Sequence, residues 1–153
     1  MTFATLHLLV LQGPNLNLLG QREPHIYGRL TLDDLERMLQ VVAQGLNVEL
    51  SHYQSNSEGA LVDRLHQAKE QGIAGVVVNP AAYTHTSIAL RDAFLATELP
   101  FVEIHLSNIH GREPFRQQSF LADIATGRVT GLGAVGYELA LRGLVEHLRR
   151  PIV

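Results

Sequence analysis

The stretch LHLLVLQGPNLNLLGQREPHIYG, residues 6–28, joins an apolar run to a long polar loop. Residues 6–11 are apolar almost throughout, which is typical of a strand covered on both faces of a parallel sheet. A strand-to-helix connection needs about 2–6 residues. The loop that follows is longer than that, and ligands bind at the carboxyl ends of strands in open α/β sheets. We therefore predict a functional lid at about residues 19–28.

Strand-like and helix-like segments alternate along the rest of the chain. The five units are too few for an eight-stranded barrel. We predict an α/β fold, a flavodoxin-like three-layer αβα sandwich whose five-stranded parallel sheet has the order 2-1-3-4-5. The four strand segments after the first are 48–53, 74–79, 101–105 and 129–132.

Several helix ends carry their own signals. Thr31 followed by Asp34 is a variant of the capping box, in which a side chain and a backbone N–H satisfy each other at a helix start. Gly45 and Gly72 stand where this helix and the next should stop, because glycine adopts the left-handed conformation that ends helices.

Composition narrows the classes of function. The chain has 153 residues, 46% of them hydrophobic, which suits one catalytic domain over 1–153. A net charge of −3 without like-charged runs argues against nucleic acid or a membrane as partner. The absence of cysteine excludes disulfides and thiolate metal sites. With no signal-peptide layout at the start, we expect a cytoplasmic protein.

Three loops are expected to border one crevice beside the switch point of the sheet, namely 12–30, 79–86 and 105–116. Taken singly, each polar residue there has an ordinary structural explanation, such as a turn or a helix cap. Their convergence at one predicted crevice favours function. They include Asn15, Asn17, Arg22, Tyr27, Asn79, Thr84, His85, His105, Ser107, Asn108, His110, Arg112 and Arg116.

Arg22 and Tyr27 form the first candidate pair. They lie five positions apart on one loop, close enough for the guanidinium to approach the phenol. A permanent cation favours phenolate, which makes Tyr27 a candidate general base. The alternative is that Arg22 pairs with Glu23 at the surface.

His105 and Glu103 form the second pair. They share one face of a strand, so the carboxylate can orient the imidazole or hold it protonated. A base on one loop and an acid on another suit proton abstraction followed by elimination. The alternative is that Glu103 is a buried structural carboxylate.

Two further patterns are rejected as sites. The motif GLGAVG at 131–136 resembles a dinucleotide fingerprint, but no later strand can supply the ribose-binding carboxylate. Tight packing of strand on helix explains its glycines better. The histidines at 85, 105 and 110 lack the spacing of metal ligands, so no metal is expected.

Lysine usage bears on the mechanism. Lys69 is the sole lysine of the sequence and stands near the end of a helix, in a setting typical of solvent. Schiff-base chemistry needs a desolvated lysine in a pocket. We therefore expect no imine, and we expect hydrogen bonds to an enolate instead.

A series of short motifs runs nearly from end to end of the chain. They are GPNLN (13–17), QSNSEG (54–59), NP (79–80), THTS (84–87), EIHLSN (103–108), IATG (124–127) and GLG (131–133). Through these motifs the chain strongly resembles type II 3-dehydroquinate dehydratase, also called type II dehydroquinase. One position departs from the family pattern, because Ala81 stands where the family typically has glycine. If that residue has a positive φ, its methyl group strains the loop.

The resemblance implies the third step of the shikimate pathway, an anti elimination of water that converts 3-dehydroquinate to 3-dehydroshikimate, without cofactor. Family members assemble as trimers that pack into dodecamers. On this chain Tyr27 would take the proton, aided by Arg22, while Asn15 would hold a water against the enolate and His105, supported by Glu103, would protonate the leaving hydroxyl. Substrate would be bound by Asn79, His85, Arg116 and the backbone N–H groups of Leu106 and Ser107, and Asp92 would reach a neighbouring subunit's site.

Two other functions remain as alternatives. A flavin- or nucleotide-binding module could share the fold, although Asn, Arg and Tyr replace the Gly, Ser and Thr that surround a phosphate in such proteins. A catalytically inactive regulator could retain the pocket, although a binder needs neither the base nor the acid.

Overall fold

The computed structural model describes residues 4–150, with the backbone alone for Tyr27. Strands and helices alternate along the described chain. The strands are β1 (Leu6–Gln12), β2 (Val48–Gln54), β3 (Gly75–Asn79), β4 (Phe101–His105) and β5 (Gly127–Thr130). The helices are α1 (Pro24–Tyr27), α2 (Leu32–Leu46), α3 (Glu58–Glu70), α4 (Ile88–Thr97) and α5 (Val135–Arg149).

The five strands form one parallel sheet in the order β2-β1-β3-β4-β5, which confirms the predicted topology. The central strands β3 and β4 are buried throughout, as their apolar runs predicted. The strand order reverses between β1 and β3, because β2 lies on one side of β1 and the later strands lie on the other. Gln12 and Asn79, the last residues of these two strands, are paired there.

Helices cover both faces of the sheet, so the sandwich has three layers. Helices α2 and α5 pack on one face and α3 and α4 on the other, each through apolar side chains at helical spacing. Full burial of one such leucine stabilises the fold by about 1.5–3 kcal/mol. The buried helix side chains include Leu35, Leu39, Leu141 and Leu144 on the first face and Leu61, Leu65, Leu90 and Phe94 on the second.

The predicted helix ends are partly confirmed. Thr31 and Asp34 form a complete capping box at the start of α2. Gly72 follows the end of α3 with a φ of +74°. The prediction for Gly45 is wrong, because α2 continues to Leu46 and Asn47 takes the left-handed conformation instead, with a φ of 55°. Asparagine tolerates that region better than most residues.

The fifth strand lies two residues earlier than predicted. It covers Gly127–Thr130 because these residues pair with β4, and Gly131 then leaves the strand with a φ of +87°. The glycine motif serves packing, as expected. A Cβ on Gly136 would lie 2.8 Å from a methyl group of Ile104, so glycine is what lets α5 approach the sheet.

Candidate active site

A cavity of about 250 Å³ lies at the carboxyl edge of the sheet, beside the reversal between β1 and β3. The three loops predicted to meet there do so, because they follow β1, β3 and β4. Eight of the predicted site residues line it: Asn15, Arg22, Asn79, His85, His105, Leu106, Ser107 and Arg116. The structure brings these residues together, while their individual roles stay predictions.

His105 ends β4 at the floor of this cavity and is almost fully buried. Its Nε2 lies 2.6 Å from Oε2 of Glu103, which is fully buried two residues earlier on the same strand. An ionised carboxylate only accepts hydrogen bonds, so Nε2 carries a hydrogen. The other ring nitrogen, Nδ1, is then the atom that can exchange a proton with a ligand.

Three more side chains donate to Glu103. The Thr84 hydroxyl lies 2.6 Å from Oε2, the Ser119 hydroxyl lies 2.9 Å from both oxygens, and Nε of Arg128 lies 3.1 Å from Oε1. Glu103 is therefore a buried carboxylate that is both structurally embedded and bonded to His105. The two interpretations of Glu103 from the sequence, a partner of His105 and a buried structural carboxylate, are therefore compatible.

These donors decide the charge of Glu103. Burial alone raises the pKa of a carboxyl group, but the hydrogen bond and charge of His105, the Thr84 hydroxyl and the Arg128 cation outweigh it and lower the pKa of Glu103 from 4.5 to about 2. Glu103 is consequently an anion at neutral pH. It fixes the ring orientation and the protonated nitrogen of His105.

The first loop contributes Asn15 and Arg22 to the cavity. Asn15 lines the cavity with a φ of 69°, and its backbone N–H donates to Oδ1 of Asn56 at 2.9 Å. Arg22 lies 3.9 Å from Glu23, the surface pair that the sequence had left as an alternative. The side chain of Tyr27 lies outside the described residues, so its predicted contact with Arg22 stays a prediction.

The second loop contributes Asn79 and His85. Asn79 is held by Tyr137 and by the N–H of Ala81, which donates to Oδ1 at 3.0 Å. His85 Nδ1 lies 2.7 Å from the Gln118 carbonyl, so Nδ1 carries the hydrogen. Burial and the neighbouring His105 and Arg116 lower the pKa of His85, although the bond to Gln118 opposes this. At neutral pH its Nε2 is therefore a hydrogen-bond acceptor.

The third loop supplies the cationic wall. Leu106 and Ser107 follow β4 directly and line the cavity. Arg116 pairs with Glu113 and lies over the ring of Phe115, 5.1 Å from its centroid. Arg112 lines the same wall. An anionic ligand would therefore meet guanidinium groups although the chain as a whole is acidic.

Asp92 lies apart from the other predicted site residues. It is exposed on α4 and is not among the described residues that line the cavity. The only site role predicted for it involves a neighbouring subunit, so its position does not conflict with that prediction.

Sequence reasoning missed Ser119 and Arg128 as partners of Glu103. Arg128 stands directly opposite Glu103 in the pairing of β4 with β5. The predicted strand began at residue 129, so this facing position was overlooked. Ser119 lies on an irregular segment with no periodic signal, and nothing in the sequence marks it.

Two features are absent from the described part of the chain, 4–150, namely a metal-binding cluster and a membrane-spanning helix. No group of three His, Asp or Glu side chains there is arranged to hold a metal ion. None of its helices is both long and apolar enough to cross a membrane.

Comparisons with known proteins agree on one family. The family model described as dehydroquinase class II matches residues 6–145. A 3-dehydroquinate dehydratase from Enterobacter sp. (strain 638) is 58% identical over 142 residues, 93% of this chain and 94% of the relative. A second, from Tolumonas auensis, is 58% identical over 147 residues, 96% of each chain.

Solved structures give the same result. The crystal structure of type II dehydroquinase from Butyrivibrio crossotus DSM 2876 is similar with a TM-score of 0.90 at 40% identity, covering 92% of this chain and 97% of that one. The corresponding structure from Propionibacterium acnes gives a TM-score of 0.87 at 42% identity, covering 94% and 99%.

Proposed function

The chain belongs to the class II dehydroquinase family, and on that premise we propose how its cavity residues dehydrate 3-dehydroquinate. The activity itself is that of a hydro-lyase of the shikimate pathway. A flavin- or nucleotide-binding function is not favoured, because the family model and the relatives reported above all belong to dehydroquinases or dehydratases. We also propose that the protein is cytoplasmic.

The bond between Glu103 and His105 is the observation that carries the mechanism. Glu103 holds Nε2 of His105, so Nδ1 faces the cavity as a proton donor when the ring is protonated. His105 acts as the general acid that protonates the departing C1 hydroxyl group. The Glu103 carboxylate orients the ring for this step by accepting from Nε2.

Tyr27 acts as the general base. As tyrosinate it removes the proton beside the ketone, and Arg22 favours that form through its permanent charge. Arg22 lines the cavity on the loop that leads to Tyr27, which supports the pairing. Both residues lie on the proposed lid, about 19–28. The lid is part of a single catalytic domain, 1–153. Gly20 and Gly28 near its ends have φ values of +90° and +78°, backbone conformations suited to hinges.

The remaining cavity residues bind the substrate and the enolate that follows proton removal. Asn15 holds a water that donates to the enolate oxygen, which places a donor where charge develops. The substrate carboxylate rests on the N–H groups of Leu106 and Ser107 beside Asn79. His85 and Arg116 bind ring hydroxyl groups, consistent with the acceptor at Nε2 of His85.

We also propose that the chain assembles into trimers and that four trimers form a dodecamer. Asp92 lies on α4 between Ile88 and Leu95, whose large apolar side chains are 58% and 51% exposed. Residues at these spacings share one face of a helix. A neighbouring subunit that covers this face would bring its own site within reach of Asp92.

Two assays of the purified protein test this chemistry. Without added metal or cofactor, it is expected to convert 3-dehydroquinate to a conjugated enone that absorbs in the ultraviolet. Borohydride added with substrate and then removed should leave activity intact, because Lys69 is exposed at the end of α3 and forms no imine. Inactivation that depends on substrate would contradict the enolate mechanism, and absence of turnover would favour the inactive regulator.

A further inference from the structure

Beneath the floor of the cavity, three buried polar side chains connect β1, β3 and α5 by hydrogen bonds. Asn79 Nδ2 lies 2.7 Å from the Tyr137 hydroxyl, and that hydroxyl lies 2.7 Å from Oε1 of Gln12. The exposed fractions of Gln12, Tyr137 and Asn79 are 1%, 0% and 3%. Gln12 and Asn79 are also paired across the sheet, so α5 reaches both strands at the point of reversal.

The direction of each hydrogen bond follows from its partners. Oδ1 of Asn79 accepts from the Ala81 N–H, so the Asn79 amide nitrogen must face Tyr137. The Tyr137 oxygen accepts from that nitrogen and donates its own hydrogen to Gln12. Burial raises the pKa of Tyr137 above its ordinary value, so the phenol keeps the hydrogen that this arrangement needs. The Asn79 amide therefore has one defined orientation.

One buried hydrogen-bond donor of this network has no partner in the part of the chain that the structure describes. Nε2 of Gln12 is buried and has no hydrogen-bond partner among the described residues. A buried donor without a partner destabilises a fold, so such a group calls for an explanation. The bond directions explain it, because Gln12 must turn Oε1 toward the Tyr137 hydroxyl, which leaves Nε2 without a partner in the described chain. The same directions leave Asn79, which lines the cavity, a second amide hydrogen that Tyr137 does not use.

We propose that Tyr137 is a positioning residue whose hydroxyl, anchored by Gln12, aims the Asn79 amide at the carboxylate of the substrate. The inference rests on the proposed function in one respect, namely that Asn79 binds this carboxylate. Tyr137 acts through Asn79 and does not contact the substrate itself. Its contribution is to substrate affinity rather than to the proton transfers.

The variant Tyr137→Phe tests the proposal because it removes only the hydroxyl. We expect KM to rise about three- to tenfold, the effect of one lost hydrogen bond, with kcat close to that of the wild type. Binding of quinate, which has the carboxylate, should weaken, while binding of its methyl ester should change little. A merely structural role would lower the melting temperature and leave the preference for acid over ester unchanged, which would overturn the proposal.

A second variant, Gln12→Met, removes the acceptor while keeping a similar length. It should raise KM in the same direction, and the double variant should be no worse than Tyr137→Phe alone, because both changes break one chain of contacts. Additive effects on KM would contradict the proposal. Tyr53→Phe, on the edge strand β2, is the matched control and should keep the wild-type KM.

The variant Asn79→Ala separates this inference from the proposed function. If it raises KM while Tyr137→Phe does not, the carboxylate role of Asn79 stands and the positioning role of Tyr137 falls. If Asn79→Ala leaves KM unchanged, Asn79 does not bind the carboxylate and both fall.

Discussion

Glu103 and His105 share a hydrogen bond of 2.6 Å on β4, with the carboxylate fully buried and the imidazole at the cavity. Residues two apart on a strand lie on one face, so the backbone itself brings the pair together. Thr84, Ser119 and Arg128 supply the remaining donors to the carboxylate. The cost of burying this charge is thereby offset, and the charge is available to orient the acid.

The lowered pKa of Glu103 makes the free energy of unfolding depend on pH in the acid range. Its pKa is lowered from 4.5 to about 2 in the folded chain, so folding favours the anion. The stabilisation is present above the unfolded value of 4.5 and is lost as pH falls toward 2. It amounts to on the order of 3 kcal/mol.

Denaturant unfolding between about pH 2 and pH 6 measures this loss. The variant Glu103→Gln cannot titrate, so its free energy of unfolding should fall less over the window. Glu138→Gln, in an ion pair on the surface of α5, should keep the wild-type loss. Parallel profiles for wild type and Glu103→Gln would show that Glu103 is not the group responsible.

We expect the substitution Ala81→Gly to stabilise the protein. The φ of Ala81 is 52°, the positive value at which a methyl group was expected to strain the loop. The left-handed region costs a residue with a Cβ about 1–2 kcal/mol. Glycine removes that cost but makes the unfolded chain more flexible by about 0.4–1 kcal/mol. Ala81→Gly should therefore raise the free energy of unfolding by about 0.5–1 kcal/mol.

Thermal or denaturant unfolding measures the difference. Ala82→Gly is the control, because Ala81 and Ala82 begin one 3₁₀ turn, Ala81–His85, and Ala82 is not among the described residues with positive φ. Glycine there should destabilise the chain. Equal destabilisation by both substitutions would contradict the strain at Ala81.

A charge on the exposed face of α4 is expected to prevent assembly. Replacing Leu95 by Asp places a charge in the proposed subunit contact, so the assembly should dissociate into smaller species in sedimentation experiments. Val41→Asp is the control, since Val41 is 69% exposed on α2, away from this face. Dissociation by both variants, or by neither, would argue against α4 as the contact.

Much of the fold could be read from the sequence because its signals are local. The apolar run at 101–105 predicted β4 with its observed bounds. The five alternating units indicated an open, flavodoxin-like sheet, and that fold predicted the observed strand order. The edge strand β5 was misplaced because its half-buried residues have no continuous apolar run. Helix α2 continues through Gly45 to Leu46, since glycine inside a helix is tolerated where packing continues, and Asn47 caps it.

The site was predictable as a set of loops but not as a network. His105 and Glu103 stand out because polar residues in a buried strand are unusual. Arg128 depends on the register between two strands, which the sequence does not encode locally. Tyr137 stands at an apolar helical spacing, so its hydroxyl carried no signal until the structure placed Gln12 and Asn79 beside it.

In the proposed mechanism Tyr27 removes the proton and His105 releases water. The decisive measurement is the turnover of Tyr27→Phe, followed by the ultraviolet absorbance of the enone. We expect kcat to fall by at least about a hundredfold, the contribution of a general base, while a carboxylate inhibitor such as quinate still binds. Wild-type turnover by Tyr27→Phe would show that Tyr27 is not the base.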